Sequence, residues 1–561
     1  MQNRVLAGVL AIVAASGTTA HGQARAVAVE GDISPNGDVF GDLAVGTGDE
    51  PVIGNTGDIA FLGEAGTGSG TDGIWVEIDG VLHEVVREGD FVPGLGTREF
   101  NSFGSLRVGR DGRVGFRSSI DAASGIGSVE SYWLWTPASG LSAYAIEGEP
   151  AGFSSPANAI VEDLSQGEFA MNDRGEAAFR MEWSCPSCPV APDEPIGLVA
   201  GFPGNLRIEV ERGDLVTGQQ IDAIGTVHTI IGSAGDVGGV VFFTNSAGTL
   251  TPCIYLGDSL VVCDNDPAIT GDPGDFYSPI DAENFVIGGS LLSFQAGITD
   301  DELEPVAFEG AIFRDALPVF ADGVPVDGRI VDLPNPPTGP ALRMNEADEL
   351  AVITDTSDGD VAWRVFAIGP QALAVEGDPA PGFAGEVFSS MRLPIIGGTG
   401  LDDTRVAFIA ELSAARLGLF ATDAISQLDV LLRDQDTIDL DPDPTSTRNA
   451  TVDLIRLNNE QGQSSGLSNG INDDGSITAV LQVFELGSGV LSAVVVFERC
   501  LKEERDCPAD IDGDGSLTTF DFLAFQNAFD AGELAADFDC NGVINFFDFT
   551  AFQTAFDAGC P

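Results

Sequence analysis

Basic side chains are scarce in this 561-residue chain: 25 arginines and lysines face 87 aspartates and glutamates, a formal net charge of −62, and Lys502 is the single lysine. No basic run occurs anywhere, which excludes the phosphate-tracking surface that nucleic-acid binding needs. Histidine occurs three times, as His21, His83 and His228, and leaves little for imidazole chemistry. No stretch approaches 18 uncharged apolar residues, so no membrane-spanning helix is expected. What is abundant is glycine, with 71 Gly and 30 Pro against a hydrophobic content of 43%. That much apolar material supports a large core and excludes wholesale disorder. The length fits two to four domains or one large repetitive one.

The first residues set the compartment. Met1 to Arg4 begin with positive charge, Val5 to Ala15 form an apolar run too short to span a bilayer, and Gly22-Gln23-Ala24 offers small residues for cleavage. Residues 1–24 therefore read as a secretory signal peptide, and the mature protein is expected to be secreted or held at the cell surface. His21 leaves with that leader. The eight cysteines are even in number and clustered, as Cys185 with Cys188, Cys253 with Cys263, and then Cys500, Cys507, Cys540 and Cys560. They read as disulfides, with the pairing inside the last four left open.

A repeat runs through most of the chain. An apolar strand ending in an acidic turn recurs as AVAVEGD (26–32), EVVREGD (84–90), AYAIEGE (143–149), RIEVERGD (207–214) and LAVEGDPAPG (373–382), with weaker copies at 260–266, 318–324 and 430–436. Marked from Glu30, Glu88, Glu147, Glu211, Asp264, Ala321, Glu376 and Asp434, the copies lie 53 to 64 residues apart. Two more strands precede each mark. One follows a turn of the form Asn-x-x-Gly, taken to start at Asn55, Asn172 and Asn472, and alternates as a half-buried strand would; the other is aromatic-rich, as in GIWVEI (73–78) and SYWLWTP (131–137). Three or four strands per unit with short glycine-rich connections is the pattern of a β-propeller blade. The first acidic-turn strand has no strands before it, and the last unit (472–498) has none after it. A ring in which the N-terminal strand completes the last blade resolves both, giving a mainly β fold of eight blades over residues 25–499. Seven blades with one degenerate unit, or two stacked β domains, are the alternatives.

On the residues Asn172-Asp-Arg-Gly175-Glu-Ala177-Ala178-Phe179, this region resembles a bacterial family of exported tandem-repeat proteins with an Asn-x-x-Gly-x-x-Ala-Phe signature and varied C-terminal anchoring modules. The resemblance implies fold and export; the family brings no defined activity.

The sharpest chemistry lies at the C-terminus. Asp510, Asp512, Asp514 and Asp521 fall at positions 1, 3, 5 and 12 of a twelve-residue loop, with Gly515 at 6, the Ser516 carbonyl at 7 and Thr518 at 9. The loop recurs 27 residues later as Asp537, Asp539, Asn541, Val543, Asn545 and Asp548. Alternate hard oxygen donors with a glycine at the sharp turn are what Ca²⁺ requires, so two calcium ions are expected, the second held more weakly because two asparagines replace charge. A short helix should follow each loop, with Phe522, Phe525, Phe529 and Phe549, Phe552, Phe556 on one face of each. A loop followed by one helix, twice over, resembles a dockerin, and the Gly559-Cys560 ending resembles a bacterial dockerin-type anchoring domain in particular. That resemblance implies a small helical domain over residues 500–561, a Cys507–Cys560 clasp of its ends, and calcium-dependent docking onto a cohesin-like surface partner. Thr519-Phe520 and Phe546-Phe547 depart from the usual small polar pair at loop positions 10 and 11.

Other motifs fail on context. Gly68 to Gly73 spells GxGxxG, but a strand follows it and no helix N-terminus is available for a pyrophosphate. The GxSxG matches at 462–466 and 466–470 lie in a polar stretch, with two mature histidines in the whole chain. The five tryptophans, Trp75, Trp133, Trp135, Trp183 and Trp363, are assigned to blade cores. The resulting reading is a non-catalytic exported propeller that docks through a two-calcium module. The alternatives are a dockerin-bearing, polysaccharide-degrading hydrolase or lyase, and a glycan-binding propeller.

Overall fold

The computed structural model describes residues 24–43, 50–66, 71–153, 156, 158–164, 169–185, 195–225, 229–245, 248–267, 275–288, 291–300, 309–314, 317–333, 342–345, 347–398, 404–422, 427–441, 448–458, 470–497, 509–511, 517–531, 536, 538 and 546–559. These residues form an eight-bladed β-propeller and two C-terminal helices. Blades 1 to 7 span residues 52–87, 100–146, 160–211, 223–263, 275–321, 329–375 and 388–433, each an antiparallel sheet of four strand positions. Blade 8 takes three strands from 449–497 and its outermost from Ala24–Val29, which pairs antiparallel with Gly489–Phe497. The ring thus closes as the strand arithmetic requires.

Eight apolar seams show the closure independently. Blades 1 and 2 share Ala60, Phe100 and Phe116; blades 2 and 3 share Tyr132, Phe169 and Phe179; and the series continues through every neighbour. The last seam sets Ala28, Val480, Val494 and Val496 of blade 8 against Phe40, Phe61 and Trp75 of blade 1. Because each blade has a neighbour on both faces, the second strand of a blade is not half-buried as its alternation suggests. Ile59, Ala60 and Phe61 are all fully buried, with Ala60 facing blade 2 and Phe61 facing blade 8. Alternation here sorts side chains between two dry seams and not between core and water.

The acidic turn links one blade to the next. Each of the eight turns has a positive-φ residue, Gly31, Gly89, Gly148, Gly213, Asn265, Gly323, Gly377 and Gln435, and in six of them it directly follows the mark. Its N–H donates to the chain that enters the next blade, as Gly89 does to Phe100 O (2.8 Å) and Gly148 to Val161 O (2.8 Å). This register moves two of the marks by one residue. Arg212 and Asp322, not Glu211 and Ala321, precede the positive-φ position, because the turn is defined by backbone geometry and tolerates a substituted acid. The acids themselves cap backbone: Glu147 accepts the N–H groups of Glu130 (3.1 Å) and Leu164 (2.9 Å), one on its own blade and one on the next. The turn aspartates Asp90, Asp214, Asp266 and Asp436 each accept the N–H three residues back, at 2.8–2.9 Å.

Arginines stitch the closing strand. Arg25 reaches Glu77 of blade 1 through two bonds (2.7 and 3.1 Å), and Arg448 bridges Asp32 (2.6 Å) and Glu485 (2.8 Å). Cys253 and Cys263 form a disulfide across neighbouring strands of blade 4, and Cys185 is disulfide-bonded. Cys188, Cys500, Cys507, Cys540 and Cys560 lie outside the described residues, as do residues 1–23, His228 and, but for Gly470, the GxSxG matches. Among the described residues no helix is long and apolar enough to cross a membrane.

Candidate metal centre and the propeller axis

The C-terminal helices are α1 (Thr519–Ala531) and α2 (Phe546–Ala558), each beginning at position 10 of its loop. Thr518 starts α1: its Oγ1 accepts the Phe520 N–H (3.1 Å), which satisfies one of the donors left free in a first helical turn. The phenylalanine faces meet as expected. Phe525 and Phe552, both fully buried, stack at 4.1 Å with their planes 2° apart, and Phe522 contacts Phe549, Phe552 and Phe556. One participant escaped the periodicity argument. Phe538, at position 2 of the second loop, packs on Phe552 (5.3 Å) and Phe525 (6.1 Å), and Ile511 occupies the same position in the first loop and joins the same core. The signal was there, an apolar residue at position 2 of both loops.

Of the candidate calcium ligands, Asp510, Thr518, Asp521 and Asp548 are described; Asp512, Asp514, Ser516, Asp537, Asp539, Asn541, Val543 and Asn545 lie outside the described residues. Both position-12 carboxylates are fully buried, and Asp510, at position 1, is 9% exposed. Asp521 Oδ2 accepts the Thr518 N–H (2.7 Å) and lies 3.4 Å from Thr518 Oγ1, which joins positions 9 and 12. Asp548 Oδ1 accepts the Phe538 N–H (2.6 Å) and ties the second loop to α2. Each sits in the first turn of its helix, where the dipole favours negative charge. The donor set is hard oxygen held against an aromatic core, and residues 506–561 contain no arginine or lysine to neutralise it. This chemistry fits a divalent cation.

The Asn-x-x-Gly turn at Asn172, and its counterpart at Asn345 in which Asp348 (φ 60°) takes the glycine position, are structural. Asn172 Oδ1 accepts the N–H groups of Arg174 and Glu176 (3.1 Å each), and Asn345 Oδ1 accepts those of Ala347 (3.1 Å) and Glu349 (2.9 Å). Their amides reach the next blade, Asn172 Nδ2 to Gly232 O (3.2 Å) and Asn345 Nδ2 to Thr404 Oγ1 (3.0 Å). The preceding blade supplies a glycine where each such turn presses on it: a Cβ on Gly109 would lie 2.7 Å from Asp173 O, and one on Gly288 2.8 Å from Asn345 O. In blade 1 the turn bonds are Gly54 N to Asp58 O and Gly57 N to Gly54 O, so Gly54 and not Asn55 is the equivalent of Asn172. Asn55 instead reaches out of its own blade on both sides. Its Oδ1 accepts the Asp473 N–H of blade 8 (3.2 Å), and its Nδ2 lies 3.4 Å from Asp173 Oδ2 of blade 3, which Arg110 Nε also meets at 2.7 Å. The turn tips of the non-adjacent blades 1 and 3 thus meet side chain to side chain.

Trp75, Trp133, Trp183 and Trp363 are buried in the seams, and Trp133 and Trp363 donate to Ser131 Oγ (2.8 Å) and Thr354 Oγ1 (2.9 Å). These rings present no face on which a sugar can stack.

Comparisons with known proteins complete the picture. Among solved structures, the Dos1 propeller is 8% identical and covers 84% of this chain and 95% of its own, with a TM-score of 0.33. The polysaccharide lyase Uly1 is 10% identical over 86% of this chain and 98% of its own, with a TM-score of 0.33. The BP39L lectin from Burkholderia pseudomallei is 12% identical over 68% of this chain and 96% of its own, with a TM-score of 0.27. No curated protein matches the chain. A family profile matches residues 11–159 and 341–498, more than half of the sequence, and on that match the chain belongs to a family of unknown function, DUF7453.

Proposed function

We propose that this protein is an exported, non-catalytic β-propeller retained at the cell surface through a C-terminal module that binds two calcium ions and docks onto a protein partner. The observation that carries the reading is the pair of fully buried carboxylates, Asp521 and Asp548, in a segment without a single basic residue. Burying a carboxylate costs several kcal/mol unless a cation or several hydrogen bonds compensate it, and a divalent ion would supply that compensation. The dockerin-like order of loop, helix, loop, helix supports docking, and the leader-like residues 1–24 support export. The test uses the full-length protein. Calorimetric titration should report two calcium sites, and Asp521→Asn should remove the tighter one. Heat absorption by calcium that is unchanged in an Asp521→Asn, Asp548→Asn double variant would place the sites elsewhere. Capture of an envelope protein by the wild type in calcium, lost in chelator, tests the docking step separately.

A further inference from the structure

Blade 6 arranges four acids in one line across its strands. Asp332 lies directly opposite Asp355, and Asp355 directly opposite Asp360. Glu376, the residue after the fourth strand, donates its N–H to Asp360 O (2.8 Å), and its Oε2 accepts the Asp360 N–H (3.1 Å). Directly opposed residues share a sheet face, here the one turned toward blade 7, where Ile353, Ala362 and Ala374 pack with Met391 and Phe408. Asp360 Oδ2 also accepts the Met391 N–H (3.0 Å), so a member of the row ties blade 6 to blade 7.

Among the described residues no cation balances this row. Arg329, at the adjoining turn, pairs with Asp327 (2.9 Å) and Asp358 (3.6 Å), and across the seam Arg392 is drawn to Glu411 (3.8 Å). Asp378 and Glu386 on the connection into blade 7 add only negative charge. Among the described residues no ion pair reaches Asp332, Asp355, Asp360 or Glu376. Blade 2 shows how the same positions are otherwise filled. Its row reads Ser102, Ser119, Glu130 and Glu147, and Arg117 Nε sits 2.8 Å from Glu130. Like charges placed directly opposite one another on a sheet are destabilising, so the blade 6 row holds together best with fewer than four charges.

We propose that this row is a proton-operated joint between blades 6 and 7: a proton on Asp355, held against Asp360, lets the line of acids close against blade 7, and its loss loosens that seam. The hydrogen bond to Asp360, then burial, then the neighbouring carboxylates push the Asp355 carboxyl up to about 6. The folded form therefore holds the proton more tightly than the unfolded chain, whose value is 3.8. The stabilisation is fully present below that unfolded value and is lost as the pH rises through about 6. The joint lies in a closed ring, so its opening would loosen one seam while the Ala24–Val29 strand stays in place.

The experiment is amide hydrogen exchange on the full-length protein at about pH 5 and about pH 7.5, corrected for intrinsic exchange. Peptides covering 350–366 and 388–397 should lose protection about tenfold at the higher pH, while the blade 2 peptides 114–136 should not. Asp355→Asn should make blade 6 and 7 protection equal at the two pH values, and Asp332→Asn should narrow the difference; both positions are exposed, so both variants should fold. Equal protection in the wild type at both pH values, or a pH difference that survives in Asp355→Asn, would overturn the proposal. A difference abolished by excess calcium at the higher pH would assign the row to a cation instead of a proton and overturn it equally.

Discussion

Arg364 and Glu349 offer the most quantitative test of how the seams are held. Arg364 is fully buried and Glu349 nearly so, with Nε and Nη2 of the arginine 3.2 and 2.9 Å from Glu349 Oε2. Arg364 Nη1 reaches Thr404 O in blade 7 (3.4 Å), and the guanidinium lies 4.3 Å from the centre of the Phe366 ring. Replacing Glu349 by Leu leaves a buried guanidinium without its counter-charge, which costs about 3–5 kcal/mol. Unfolding entropy of roughly 2 cal/mol/K per residue over a ring of about 470 residues comes to about 1 kcal/mol/K, so the melting midpoint should fall by about 3–5 °C. The double variant Glu349→Leu, Arg364→Met removes both charges and keeps the volume, and should recover most of that loss. The assay is a calorimetric melt of the wild type, both single variants and the double variant, read as a cycle. A double variant that loses as much as the two single variants added together would refute the reasoning, because it would show that the site contributes packing and not a charge pair.

Three further outcomes follow from the same structure. Gly397→Ala places a Cβ against the Asn472 carbonyl of blade 8 and should destabilise the ring by about 1–3 kcal/mol, seen as a lower denaturant midpoint with an unchanged slope. Cys253→Ser opens a disulfide of sequence separation 10 and should cost about 2–3 kcal/mol, measured against the oxidised wild type. On the proposed two-calcium reading, chelation should lower only the melting of the C-terminal segment, since the candidate ligands belong to α1, α2 and their loops; Phe525→Ala, which empties the stacked centre of that core, should cost the segment about 3–5 kcal/mol even with calcium present.

Much of the architecture was legible because its signals are local. The acidic turn needs a positive-φ residue and an acid that caps nearby backbone, and Glu30, Glu147 and Glu376 display that need directly. The exceptions were illegible for the same reason. Arg212 stands where an acid was sought, because the turn is set by Gly213 and its hydrogen bond to Ile221 O, bonds that no residue type announces. Asn55 resembled a signature asparagine by type, yet its partners come from blades 8 and 3, more than 100 residues away. The spacing of oxygen donors in the two candidate loops is a sequence pattern in itself, whereas Phe538 was not picked out, since its role depends on α1 and α2 lying side by side.

By itself the sequence determined the composition of the core, the eight acidic turns, the closing role of the Ala24–Val29 strand and the calcium-type spacing of the carboxylates, all properties of residues within a few positions of each other or of a period. Only the tertiary structure decided which face of each strand meets which blade, that turn tips from blades 8, 1, 2 and 3 meet through side chains, and that Asp332, Asp355, Asp360 and Glu376 stand in one line. Those are relations of register and seam, and register is set by the packing of whole sheets against their neighbours.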